Sequence, residues 1–292
     1  MKKEVIYVAK PTWYTEKIYP GHTCFFEEFY AQLRAFHEVR ALELPDIWVR
    51  DFLPVQNVRT GELYRLFFDP RYANYTAKFT DAIRRQVQGA FPHAKWCDVR
   101  MDGGNIVLTP DKKYALCLEK RTIFRKSDSA QKTYVAQELK RALGVEEILW
   151  LPQQIGDKIG HIDGYIQFLG DFLMEGTVEL YGGITTGSLL GNGATGKLCT
   201  YCDTKHIADY RKEWVYLICR PDEDHWLSAR GIYVNFLETS RAVFVPQFNL
   251  PEDDTVISIM GEYTRKPLVR VDCSWIAAYG GAVHCLTREY DE

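Results

Sequence analysis

Four short stretches of this chain place chemically capable side chains beside small residues: LPDIWVRD (44–51), VRMDGGN (99–105), GHIDGY (160–165) and GGAVHC (280–285). Cysteine attacks electrophilic carbon once it is a thiolate. Histidine exchanges protons near neutral pH. An acid beside a histidine can orient a cationic group. Cys285 and His161 are therefore a possible nucleophile and acid/base, with Asp163 beside the histidine. His284 adjoins Cys285, and neighbours in an extended chain face opposite ways. The expected partner of Cys285 is therefore the distant His161, because Cys/His pairs meet in space rather than in sequence.

Each stretch also has a plain structural reading. In a strand, His161 and Asp163 are two apart and share a face, but a surface strand end would carry them equally well. Asp102 before Gly-Gly reads as a ligand-approaching turn or as a turn whose Asp caps its own backbone. Asp46 and Trp48 share one strand face, as would Arg50, with Asp51 on the other face or past the strand end. An Arg–Asp ion pair closing a strand competes with any functional role there. Cys285 alone reads equally as a small buried hydrophobe.

The elements that must position these residues alternate along the chain. VIYVA (5–9) reads as a strand. CFFEEFYAQLRAFHE places Phe26, Phe29, Leu33 and Phe36 on one helical face, and TAKFTDAIRRQVQG does so with Phe79, Ile83 and Val87, with Gly89 as a stop. SDSAQKTYVAQELKRALG has a Ser/Asp start, a Val135–Leu139–Ala142 stripe and Gly144 as its terminator. IVLT and YALCLE, joined by PDKK, read as strands, as do ILWLP, YVNFLE, AVFVPQF, VISI, LVRVDC and VHCLT. Mixed strands and helices indicate an α/β or α+β class. No exact repeat is visible, yet polar clusters recur at strand ends over the whole length, which a pseudo-repeated fold with one central site would explain.

Composition narrows the function. The 292 residues are 46% hydrophobic and 26% charged, with formal net charge −3, as in ordinary globular proteins. No basic block is present, which argues against nucleic acid as a partner. No stretch approaches a membrane span and the N-terminal apolar run is too short for a signal peptide, so the cytosol is the expected location. The eight cysteines read as reduced thiols. GNGATGKL (191–198) has P-loop spacing but continues with Leu198, and reads as a loop. CTYC (199–202) lacks a second ligand pair for zinc.

The order of the motifs is more specific than any one of them. W-x-R-D, D-G-G-N, G-H-x-D, YVNF with VPQF, and G-G-x-x-H-C resemble the agmatine deiminase and bacterial-type peptidylarginine deiminase family, from about Asp46 to Thr287. The resemblance implies a single domain over 1–292 with the pentein fold, a five-fold pseudo-symmetric α/β propeller of ββαβ-type units. By position, Cys285 is the implied nucleophile and His161 the acid/base, with Asp51 and Asp163 holding a guanidinium and Asp102 supporting the site. Trp48 lines the pocket, and Asp46, Asn105 and Asn235 are further substrate-binding candidates. The implied partner is a small guanidino compound, most simply agmatine, with no metal or organic cofactor, and self-association is compatible with the family. A peptidylarginine deiminase, an amidinotransferase and a non-catalytic pentein binding protein are the alternatives. The chain departs from the pattern in its length, in RDFLP for R-D-x-G-P, in Asp102 where Glu is common, and over 170–230.

Overall fold

The fold was obtained as a computed structural model that describes residues 3–70, 73, 75–120, 129–153, 159–180, 184–186, 214–219 and 228–292. GNGATGKL and CTYC lie outside the described residues, as do Ser127 and Asp128, the expected start of the third helix.

Strand β1 (Glu4–Ala9) is the expected VIYVA run. Helices α1 (Trp13–Ile18) and α2 (His22–Arg34) follow, and α2 buries Phe29 and Leu33 as its stripe requires. The chain returns parallel to β1 as β2 (Glu38–Leu42). A short helix α3 (Val49–Phe52) leads into β3 (Val55–Gln56) and β4 (Leu63–Phe67). Helix α4 (Ala77–Ala90) is capped by the Thr76 side chain and buries Ile83 and Val87. It passes through Gly89 by one residue, then β5 (Lys95–Arg100) pairs parallel to β4.

The same pattern then recurs. An antiparallel pair, β6 (Val107–Leu108) and β7 (Tyr114–Glu119), is followed by α5 (Ser129–Leu143) and by β8 (Glu147–Pro152), parallel to β7. Next come β9 (Ile166–Leu169), β10 (Phe172–Leu180), β11 (Ile184–Thr186) and β12 (Trp214–Cys219), with β12 parallel to β10. The last unit has β13 (Leu237–Glu238), β14 (Val243–Gln247), α6 (Asp253–Tyr263) and β15 (Leu268–Asp272). Finally β16 (Arg288–Asp291) pairs antiparallel to β1, so the two ends of the chain complete one sheet. The described strands form five sheets, each with an antiparallel pair and a parallel return, and one carries β11 as a fourth strand. A parallel return needs a crossover, which helices supply in four of the sheets; between β10 and β12 the described residues are those of β11.

The core is divided between neighbouring units. Separate apolar clusters join β1 to α4, β4 and β5 to α5 and β8, and β7 and β8 to β9. The largest packs Ile6, Val8, Phe29 and Leu33 against Val243, Phe244, Val256 and Met260.

Five expected strands differ. DIWVR is not extended through Arg50, because Val49–Phe52 is the helix α3. VISI lies within α6, where Asp253 and Asp254 favour a helix N-terminus and Val256 and Met260 sit one turn apart on the buried face. VHCLT is a turn, with Leu286 N–H donating to Ala282 O, and β16 begins only at Arg288. Most of YVNFLE precedes β13. HID is not a strand, because a 3-10 turn runs over Ile162–Gly164. Short apolar runs do not separate strand from turn by periodicity.

Candidate active site

The five units deliver their polar residues at one place, the short segment before each unit's first strand. Asp51 precedes β3, Asp102 precedes β6, His161 and Asp163 precede β9, Asn235 precedes β13, and Cys285 precedes β16. All are buried. Strand ends can point several side chains at one centre only if the chain turns there, so helical or 3-10 turns replace the extended backbone expected from sequence.

A cavity of about 180 Å³ holds the result. Cys285, His161 and Asp51 line it, with Asp46, Trp48, Tyr19, Phe68, Tyr75 and Tyr279. His161 Nε2 lies 3.1 Å from Asp102 Oδ2 and Nδ1 lies 3.4 Å from Asp51 Oδ1. Lys120 Nζ reaches the same Asp102 oxygen at 2.7 Å. Asp163 Oδ2 is 3.6 Å from Cys285 Sγ and 2.7 Å from His284 Nδ1. Asn235 Nδ2 donates to Cys285 Sγ at 3.2 Å, while its Oδ1 accepts from the Ala282 and Cys285 amides. Gly104 allows this convergence. Its N–H donates to Asp51 Oδ1 at 3.2 Å, and a Cβ there would sit 2.6 Å from that oxygen and 2.8 Å from His161 Nδ1. A larger cleft of about 530 Å³, lined by Arg50, His284, Arg288 and Glu289 among others, includes neither Cys285 nor His161.

The charges are mutually dependent. Burial, then Asp163 and Asp51, push the Cys285 thiol well above its ordinary value, with Asn235 opposing. Burial, with Asp102 and Asp163 beside it, pushes Asp51 up to about 6 despite His161. Burial opposes ionisation of Asp102 as well, but Lys120 and His161 outweigh it and hold that carboxyl low. Asp163 is likewise held low, by His284, His161 and Arg50 against burial. His161 is raised, because Asp51 and Asp102 exceed the opposing effects of burial and Lys120. Burial and Arg50 lower His284. The centre is therefore an acidic pocket.

The remaining sequence candidates divide. Asp46 accepts from Tyr19 Oη at 2.8 Å and from Tyr75 Oη, at the cavity wall. Trp48 lines the cavity as expected. Asn105 does not reach it: its side chain bonds Leu118 N and O, where it holds the turn before β6. Arg50 pairs with neither Asp46 nor Asp51. It clamps Glu289 at 2.5 and 3.0 Å and donates to His284 O at 3.1 Å. Lys120, Tyr19 and Tyr75 escaped the sequence reading, which weighed His284 only as a partner of Cys285 and set it aside. Lys120 left one signal, a lysine closing an apolar strand. His284 and Cys285 face the same carboxylate, because the backbone there is a turn and not a strand.

A profile of the Porphyromonas-type peptidyl-arginine deiminase family matches residues 22–290. The chain belongs to that family. It is a deiminase, a hydrolase acting on guanidino C–N bonds. Solved structures agree in fold. A substrate-bound Cys→Ser agmatine deiminase of C. jejuni superposes with TM-score 0.75 at 15% identity, covering 100% of this chain and 94% of its own. The agmatine deiminase of Enterococcus faecalis gives 0.69 at 17%, with 100% and 94% covered. DDAH from Pseudomonas aeruginosa, as a cysteine variant complexed with citrulline, gives 0.61 at 14%, with 99% and 100% covered. These are α/β pentein enzymes. Among the described residues no helix is long and apolar enough to cross a membrane.

Proposed function

We propose that this deiminase uses Cys285 as its nucleophile and acts on a small guanidino cation, most simply agmatine, yielding N-carbamoylputrescine and ammonia. The observation that carries the reading is the meeting of Cys285, His161 and Asp51, from three units, at one acidic cavity, with Asp163 3.6 Å behind the Cys285 sulfur. Five like-built sheets, with the chain ends sharing one and apolar clusters joining successive units, support a closed five-fold propeller around that centre.

A guanidinium stays protonated at neutral pH and is planar. Asp51 and Asp163 hold its N–H groups and fix its plane over Cys285. Its charge reverses the local balance: neutralised acids no longer oppose ionisation of Cys285, so binding itself generates the thiolate, and the thiol proton passes to solvent water. Sulfur bonds to the guanidinium carbon, the C–N bond breaks, and the His161 proton leaves with ammonia. Neutral His161 then takes a proton from water as its oxygen bonds to the amidino carbon. The C–S bond breaks, the remaining hydroxyl proton passes to the departing sulfur, and the ureido product leaves. Two easier steps replace one difficult one.

The far wall supports an amine-bearing substrate. Asp46 is buried among Tyr19, Trp48 and Tyr75. A distal ammonium meets a carboxylate and aromatic faces there, whereas a distal carboxylate meets like charge. The free described thiols accord with a cytosolic setting.

Alkylation rates test the proposal. A cationic haloacetamidine supplies the missing charge and labels Cys285 far faster than neutral iodoacetamide does, while Cys24, though exposed, shows no such preference. Equal selectivity at both thiols would sink the assignment of Cys285.

A further inference from the structure

The residue after β7, Lys120, turns inward and is only 4% exposed. Lysine is almost never so buried unless paired. Its Nζ is 2.7 Å from Asp102 Oδ2, the same oxygen that lies 3.1 Å from His161 Nε2. The fold makes room for it: Gly160 has φ +68°, and a Cβ there would sit 3.0 Å from Lys120 Cε and 2.7 Å from Gln153 Nε2. The glycine before His161 thus serves the lysine as well as the histidine.

Among the described residues, His161 faces charges from several elements. Asp51 from α3 approaches Nδ1, and Asp102, from the turn before β6, holds Nε2. Asp163 follows two residues on, Cys285 from the C-terminal turn shares the cavity wall, and Lys120 stands behind Asp102. Acids this close hold an imidazole in its protonated form. A histidine held so could give one proton to a leaving group but could not take one from water. Lys120 opposes that tendency, pulling His161 down where Asp51 and Asp102 push it up.

We propose that Lys120 is a positioning residue of the deiminase reaction: by sharing the Asp102 oxygen that holds His161, it orients the imidazole and leaves it able both to release and to regain a proton. The proposal rests on the acid/base role given to His161 above. Lys120 itself transfers no proton and touches no substrate.

Lys120→Met removes the charge and keeps most of the stem. Titration of the histidine ring resonances, with His161→Asn identifying the relevant signal, reads the resting enzyme without substrate. In Lys120→Met the His161 signal titrates about one unit or more higher, and Lys120→Arg restores it. Near neutral pH, Lys120→Met turns over roughly tenfold slower with KM close to wild type, and acid-quenched protein carries an amidino adduct on Cys285, because its hydrolysis lacks a base. An unmoved His161 titration overturns the proposal even where activity and melting temperature fall, since lost packing alone does not move that titration. If Lys120→Met does not fold, Lys120→Gln carries the same measurement. A shifted His161 in a protein that deiminates no guanidine supports the charge arrangement and overturns the reaction assigned above, so the two failures are distinguishable.

Discussion

Asp51 shows how one carboxylate can be costly to the fold and, in the reaction proposed above, necessary to the site. Burial and its acidic neighbours push it up to about 6 from an ordinary 3.8. The folded state therefore holds its proton more tightly than the unfolded state does, and this group's contribution to stability falls as pH rises from 3.8 through about 6. A bound guanidinium reverses that cost. Asp51→Asn is accordingly expected to melt no lower than wild type above pH 6, yet to lose roughly two to three orders of magnitude in kcat/KM, as for a buried charge deprived of its partner. In wild type, kcat/KM declines as pH falls through about 6, because the substrate must then displace the Asp51 proton. Thermal melts and initial rates over pH 5–8 read both effects, and a variant with wild-type rates contradicts the role of Asp51. The residue types of this centre were largely legible in sequence, because few side chains can attack, shuttle protons or hold a cation. Lys120 and Tyr75 were not: a lysine closing an apolar strand is a faint signal, and a tyrosine in a loop announces nothing until its partner is seen.

The elements explain why the site was harder to read than its residues. Each unit presents its polar group in the turn before its first strand, and those turns are short helices or 3-10 turns rather than the strands their apolar flanks imitate. Hence GHIDG and VHCLT were read as extended, and His284 was set facing away from the carboxylate it actually bonds. The longer helices were legible because α2 and α4 repeat their apolar stripe over several turns. Gly104 shows how tightly these turns are drawn together, with a Cβ position 2.6 Å from Asp51 Oδ1. Gly104→Ala is predicted to fold with a modest loss of stability and to lose about 10²-fold in kcat, the cost of displacing reacting groups by about 1 Å. Wild-type kcat in that variant would mean that Asp51 and His161 need not be so close.

At the scale of the whole molecule, no internal repeat in the sequence announced five units, because each keeps its pairing pattern while exchanging nearly every residue. The two ends of the chain meet in one sheet. β16 pairs with β1, and Glu289 on β16 holds Arg50 of α3 at 2.5 Å. Arg50 in turn bonds the carbonyls of His284 and Cys285, at 3.1 Å each. One ion pair therefore ties the first acid of the site to its last residue. Arg50 holds Glu289 down, from an ordinary 4.5 to about 2, so its stabilisation is present above pH 4.5 and is lost as pH falls through 2. Glu289→Gln should melt several degrees below wild type at pH 7, with the difference shrinking as pH falls from 4.5 towards 2. A constant difference across that range would show that Glu289 acts through packing alone. The central claim is that this closed arrangement makes Cys285 a deiminase nucleophile for a small guanidino cation. Ammonia and ureido product should be assayed in parallel for agmatine, free arginine, an arginine peptide and a simple alkylguanidine, with Cys285→Ala beside wild type. Turnover of agmatine that vanishes in Cys285→Ala is expected. Silence across the panel, or equal turnover without the thiol, contradicts it.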